Sequence, residues 1–159
     1  MGGFVALTTQ EWISSISELT TEKAVFWRKR KTFKAICKGE PFYFLKRGHF
    51  ETNSDRFIVG KAVFCELEVL PATEAWRKYG NALGYENEKS FLDVVTKMYK
   101  ESNPELGCLV MEKIRMFSNP VSLSKAEIDF SPYIVSGKKI SSENCETIDR
   151  LSLEVYCGR

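Results

Sequence analysis

The sequence predicts an α+β domain in which a mostly antiparallel sheet curls on itself and helices flank it. Three observations carry this. Apolar segments rich in aromatic and β-branched residues recur along the chain, at residues 4–7, 42–46, 57–69 and 106–117, and this is strand composition. Helices of crossover length are too few to link those strands into a parallel βαβ sheet, which points to antiparallel pairing. The helical periodicity that does exist is concentrated in a short N-terminal segment and one central insert.

Each element follows from its residues. Residues 4–7 read as a short strand. Thr8, Thr9, Gln10 and Glu11 form a helix entry with a threonine cap and a first-turn acid, because an Oγ can satisfy an orphan N–H and the acid suits the helix dipole. Trp12, Ile13, Ile16 and Leu19 then recur at helical spacing. Residues 24–27 are apolar and pass into a basic turn, and Phe33 and Ile36, three apart, predict one helical turn over 32–37. The turn Lys38-Gly39-Glu40-Pro41 delivers the chain into an aromatic central strand at 42–46. A polar connection over 47–56 leads to the long strand at 57–69, where Gly60 predicts a bulge or a close backbone approach. Thr73 opens a helix carrying Trp76, Tyr79 and Leu83. Ser90 caps a second one at 91–99, with Phe91, Val94, Val95 and Met98 on one face. Pro104 stops it, strand material follows at 106–117, and a turn-rich tail ends in an expected strand over 151–156.

At 159 residues and 18.2 kDa the chain is long enough for one domain with a core that needs no disulfide or metal staple. Cys37, Cys65, Cys108, Cys145 and Cys157 are odd in number and contain no CxxC pair, which predicts reduced thiols. His49 is the only histidine, so neither a zinc site nor an HNH nuclease centre is expected, and no cofactor is. No P-loop, GxGxxG or GxSxG is present. There is no signal peptide and no apolar run of about 20 residues; the expectation is a cytoplasmic protein without a membrane partner.

Net charge is only +2, so any electrostatic preference must come from a local patch. One is evident. Residues 23–38 hold seven Lys/Arg and no acid, and compensating carboxylates follow from Glu66 to Glu105. Within the patch the aromatic pair Phe26-Trp27 runs directly into Arg28-Lys29-Arg30-Lys31, with Lys34 close behind. Cations for phosphates beside flat faces for bases are what a nucleic-acid surface requires. The same pattern also suits core aromatics beside a solvated face, and then the chain would be a protein-interaction domain.

Five stations in order resemble the PUA-like domains of the EVE, YTH and ASCH kind, and more narrowly the N-terminal modified-DNA-reading domain of HNH-type type IV restriction endonucleases. They are Phe26-Trp27; Lys38, Gly39, Phe42 and Phe44; Phe57-Ile58-Val59-Gly60 with Phe64; Leu70-Pro71, Ala75-Trp76, Tyr79-Gly80 and Gly84; and Gly107-Cys108. The match runs over roughly residues 4–140. It implies a small curled antiparallel β-barrel flanked by helices, with one PUA-like nucleic-acid-binding domain over 1–159, cut from a longer protein and fused there to a nuclease. The second and third tryptophans of the YTH pattern are missing, which leaves cytosine or a modification bulkier than a methyl open.

The resemblance implies a binding module for double-stranded DNA carrying a modified base, which is flipped into an aromatic pocket beside a basic groove. Flipping costs a few kcal/mol and is offset by stacking and edge hydrogen bonds. Trp27 takes the place of the pocket aromatic with Phe26 behind it. Arg28, Lys29, Arg30, Lys31 and Lys34 meet phosphates. The strand at 57–61, with Phe57, Gly60 and Lys61, forms the opposite wall. Arg47, His49 and Asp55 lie in the connection beside it. Trp12 and Trp76 are expected in the core. The alternatives are an RNA-binding PUA/ASCH-type domain and a small ASCH-like enzyme; the main reading expects no catalysis by this chain.

Overall fold

The computed structural model describes residues 2–18, 23–46, 56–129 and 137–153. Its six strands are β1 (Gly3–Thr8), β2 (Lys23–Arg28), β3 (Pro41–Lys46), β4 (Phe57–Pro71), β5 (Glu105–Ser122) and β6 (Gly137–Ile140), and its helices are α1 (Gln10–Glu18), α2 (Ala72–Tyr79), α3 (Glu88–Tyr99) and α4 (Ser142–Leu153). One curled sheet runs in the order β2-β5-β4-β3-β1-β6. Every neighbouring pair is antiparallel except β1 with β3. The fold is therefore α+β and mostly antiparallel, as expected.

Period-two alternation sorts the strand side chains into three apolar layers. Phe4, Ala6, Ala24, Phe42, Phe44, Ala62, Phe64, Leu109 and Met111, from five different strands, meet on one face beneath Trp12, Ile13 and Ile16 of α1. Val5, Leu7, Tyr43 and Leu45 point the other way and are covered by Cys145 and Ile148 of α4. Val25 of β2 and Leu106 and Cys108 of β5 join Ala72, Ala75, Leu83, Phe91 and Val95 in a third layer under α2 and α3. Because β1 and β3 are covered on both faces, they read as continuous apolar runs.

Long strands curl through bulges. β4 shifts register against β5 three times, between Ile58 and Gly60, between Lys61 and Val63, and between Phe64 and Glu66. The third shift places Phe64 and Leu67, three apart, against the same layer, so strict alternation is broken there. Trp12 and Trp76 pack within the apolar layers as expected.

Four local expectations are corrected. The basic turn begins as a strand, β2, because Ala24 and Val25 are buried on opposite faces. Residues 32–37 are irregular and not a helical turn. α3 starts at Glu88, since Asn87 and not Ser90 is its cap: the Asn87 side chain accepts the Ser90 N–H at 2.8 Å. Residues 151–153 end helix α4, whose buried Cys145, Ile148 and Ser152 follow a helical period; the expected strand over 151–156 is not formed there, and 154–159 lie outside the described residues. No helix of the described residues is long and apolar enough to cross a membrane.

Candidate functional site

β2 ends at Arg28, and the chain then crosses the start of β5 in an extended segment. Gly107 permits the crossing, because a Cβ there would overlap the carbonyl oxygen of Arg30. The segment packs Phe33 on Phe4 of β1 and borders a cavity of about 420 Å³ lined by Phe4, Arg28, Arg30, Phe33, Lys34 and Gly137. Phe4 and Phe33 meet edge to face at 5.0 Å and form an aromatic floor. Gly137 is open to the Phe4 ring edge, which a Cβ would displace.

Arg28 sets the electrostatics of this cavity. Its guanidinium lies 5.0 Å above the Phe33 ring, and one terminal nitrogen donates to the Thr32 carbonyl at 2.7 Å. Its Nε is buried and has no hydrogen-bond partner among the described residues. Burial first, and then the neighbouring positive charge of Arg30, pull the group below its ordinary pKa. Both causes disfavour the cation, against a smaller opposing effect of Tyr99, and no carboxylate of the described residues lines the cavity. An anion entering here would recover lost solvation and relieve the Arg28–Arg30 repulsion at once.

Extended backbone alternates the basic run. Arg28 and Arg30 line the cavity, whereas Lys29 and Lys31 point away and pair with Glu101 at 3.2 Å and Glu105 at 3.0 Å. Lys29 also lies 5.7 Å over the Tyr99 ring. Lys34 rejoins the cavity side. The five expected phosphate contacts thus divide into three that converge and two already held by acids.

The aromatic pair divides in the same way. Phe26 packs on Trp12 at 5.5 Å and Phe42 at 5.7 Å, in the layer under α1. Trp27 faces the α2/α3 side, edge-on to Phe91 at 5.4 Å, and its Nε1–H donates to the Leu83 carbonyl at 3.1 Å. It is half-buried there and does not line the cavity of Arg28. Phe33 is the aromatic beside the cations; the sequence reading assigned it only to a helical turn. Reading β2 as a strand would have exposed the alternation and, with it, the side of each cation.

The remaining candidates lie elsewhere. Gly60 is buried in the sheet, where a Cβ would come 2.9 Å from the Met116 sulfur; the close approach it allows is that of β5. Lys61 emerges on the α4 side, 2.9 Å from Asp149, whose same oxygen accepts the Tyr43 hydroxyl at 2.9 Å. Phe57 is 41% exposed and borders a separate groove of about 640 Å³ with Lys46, Val59, Asn119, Pro120, Ser122 and Lys125. Of that groove only Phe57 was among the expected site residues; Lys46 was placed at the strand exit beside them. Arg47, His49 and Asp55 lie outside the described residues. Among the described residues no cluster of His, Cys, Asp and Glu could hold a metal ion.

No family model matches this sequence, and no curated protein does. Solved structures do match by fold. An ASCH protein from Zymomonas mobilis superposes with a TM-score of 0.68 at 15% identity, over 94% of each chain. A single-substitution variant of that protein gives 0.67 at 14% identity, over 94% of this chain and 95% of its own. The N-terminal domain of Staphylothermus marinus McrB gives 0.61 at 9% identity, over 93% of each chain. At these identities the likeness is one of fold, and the fold is the PUA-like one of ASCH domains.

Proposed function

We propose that this chain is a nucleic-acid-binding module whose backbone-phosphate site is the cavity of Arg28, Arg30 and Lys34. The observation that carries it is the half-buried Arg28 guanidinium beside a second arginine, with its Nε unpartnered and no carboxylate in the cavity among the described residues. Guanidinium groups match phosphate oxygens in geometry and charge. The shared fold with a McrB N-terminal domain and with ASCH proteins agrees with this reading. In its finer form, the module reads DNA carrying a modified base and acts as the specificity domain of a modification-dependent endonuclease, binding without cleaving. Trp27 would support such a pocket from the core side and not as its stacking face.

Fluorescence-anisotropy titration tests both levels. Matched duplexes carrying cytosine, methylcytosine or hydroxymethylcytosine, and an RNA of the same sequence, are compared at two salt concentrations. Binding that weakens with salt and prefers one modified duplex is the expected result. Equal affinity for all DNA duplexes removes the modification reading, and preference for RNA replaces it with an RNA-binding one. No binding to any of them overturns the proposal.

A further inference from the structure

We infer that the groove beside Phe57 is a second, separate nucleotide site, which holds one unpaired base on the Phe57 ring and its flanking phosphates on Lys46 and Lys125. The inference rests on the nucleic-acid reading above and adds a subsite that differs from the Arg28 cavity in place and in ligand.

Cross-strand register builds this site. Lys46 of β3 pairs directly with Phe57 of β4, and Phe57 pairs directly with Ser122 of β5. Directly opposed residues share a face, so a cation, an aromatic ring and a hydroxyl form one row across three strands. The turn after β5 adds a second cation. There the Lys125 N–H donates to Ser122 Oγ at 3.1 Å and the Ala126 N–H to the Ser122 carbonyl at 3.1 Å, which places Lys125 on the rim of the groove.

The chemistry selects the occupant. Phe57 is the only aromatic among the exposed large apolar side chains of the described residues. Most large aromatic rings of a folded domain are covered, so a ring left at a groove edge marks a contact surface. Among the described residues no carboxylate lines the groove, and neither Lys46 nor Lys125 forms an ion pair with any of them. Two cations around a flat ring suit a base and its two phosphates. A stacked partner must be unpaired, because a base inside a duplex presents no free face.

The two sites sit at opposite ends of the same strands. Phe4, at the Arg28 cavity, pairs with Phe42, whereas Lys46 pairs with Thr8. Four residues of β3 separate them, roughly 13 Å. One strand of nucleic acid could reach both, with its backbone at one end and a displaced base at the other.

The experiment titrates a fluorescein-labelled oligothymidylate, as the single-stranded probe, and a blunt duplex against the wild-type chain and its variants. Phe57→Ala is expected to weaken oligothymidylate binding about five- to a hundredfold, the loss of one stacked base, with little change for the duplex. Phe57→Trp is expected to retain affinity and to show new fluorescence that the oligonucleotide quenches. Phe57 is exposed, so both variants should fold, which thermal melting checks. Lys46→Ala with Lys125→Ala should lower the single-strand salt slope by about 1.4. Unchanged oligothymidylate affinity in Phe57→Ala overturns this site while leaving the Arg28 cavity standing. Loss of duplex binding alone in Arg30→Ala with Lys34→Ala supports two separate sites. A wild-type chain that binds neither probe removes both proposals.

Discussion

Phe26 and Trp27 are adjacent in the chain and face opposite sides of β2, Phe26 into the layer under α1 and Trp27 into the layer under α2 and α3. The next residue, Arg28, returns to the Phe26 side, where its guanidinium covers Phe33. One strand thus separates a tryptophan packed against Phe91 from an arginine at the cavity, one position away.

Trp27 is accordingly expected to act on stability. Trp27→Ala removes contacts with Phe91, Tyr85 and Tyr99 and leaves the Leu83 carbonyl without its donor. Full core truncations of this kind cost about 3–5 kcal/mol; for a half-buried ring we expect about 2–4 kcal/mol in urea unfolding. Trp27→Phe should recover much of that and bind nucleic acid as the wild type does. A Trp27→Phe protein that is stable but cannot bind would place the ring at the ligand instead.

The alternation of the basic run predicts unequal salt effects. Arg30→Ala and Lys34→Ala should each lower the slope of log affinity against log salt for duplex DNA by about 0.9, one phosphate each. Lys29→Ala and Lys31→Ala should change it far less, since those ammonium groups already pair with Glu101 and Glu105. Such exposed pairs contribute at most about 1 kcal/mol to stability, so all four variants should fold. Equal slopes for the four would mean that the lysines leave their acids on binding.

Gly107 links the fold to the cavity. A methyl group there meets the Arg30 carbonyl oxygen, so Gly107→Ala must push the crossing segment outward. A cost of about 1–3 kcal/mol is expected for overpacking, together with weaker duplex binding because Arg28 and Arg30 no longer converge. Thermal melting and anisotropy on the same preparation check the two effects. Binding at wild-type strength would show that the cavity tolerates the shift.

Glu40 predicts an acid-side dependence of stability. Its carboxylate accepts the Cys37 N–H at 2.7 Å and the Gly2 N–H at 2.8 Å, and these bonds, Cys37 first, hold its pKa below the ordinary value. A depressed carboxyl stabilises the fold above its unfolded pKa, and that contribution is lost as pH falls through the folded one. The Tm gap between wild type and Glu40→Gln should therefore be largest near neutral pH and close below about pH 4. A gap that does not change with pH would assign the role of Glu40 to shape and not to charge.

Much of the fold was legible. Residues 42–46 are so apolar and aromatic that only a strand buried on both faces accommodates them, and Phe42 to Leu45 are fully buried. Thr9 was readable as a cap, and its Oγ accepts the Trp12 N–H at 3.2 Å. The four-cation run hid a strand, because charge masked the alternation of Ala24, Val25, Phe26 and Trp27. The terminal Leu151 and Leu153 suggested a strand, whereas the helical spacing of Cys145, Ile148 and Ser152 governs that segment.

By itself the sequence determined the α+β class, the chain positions of β1, β3, β4 and β5, and the clustering of aromatics and cations between residues 23 and 38. Those properties are local: they depend on composition and on the spacing of side chains along the chain. Only the tertiary structure decided which cations share a cavity, that Phe33 rather than Trp27 lies with them, and that Lys46, Phe57 and Ser122 stand in one row. Strand register and the crossing over Gly107 set those neighbours. Both arise from pairing between segments far apart in sequence, and a one-residue slip in register would turn every side chain to the other face.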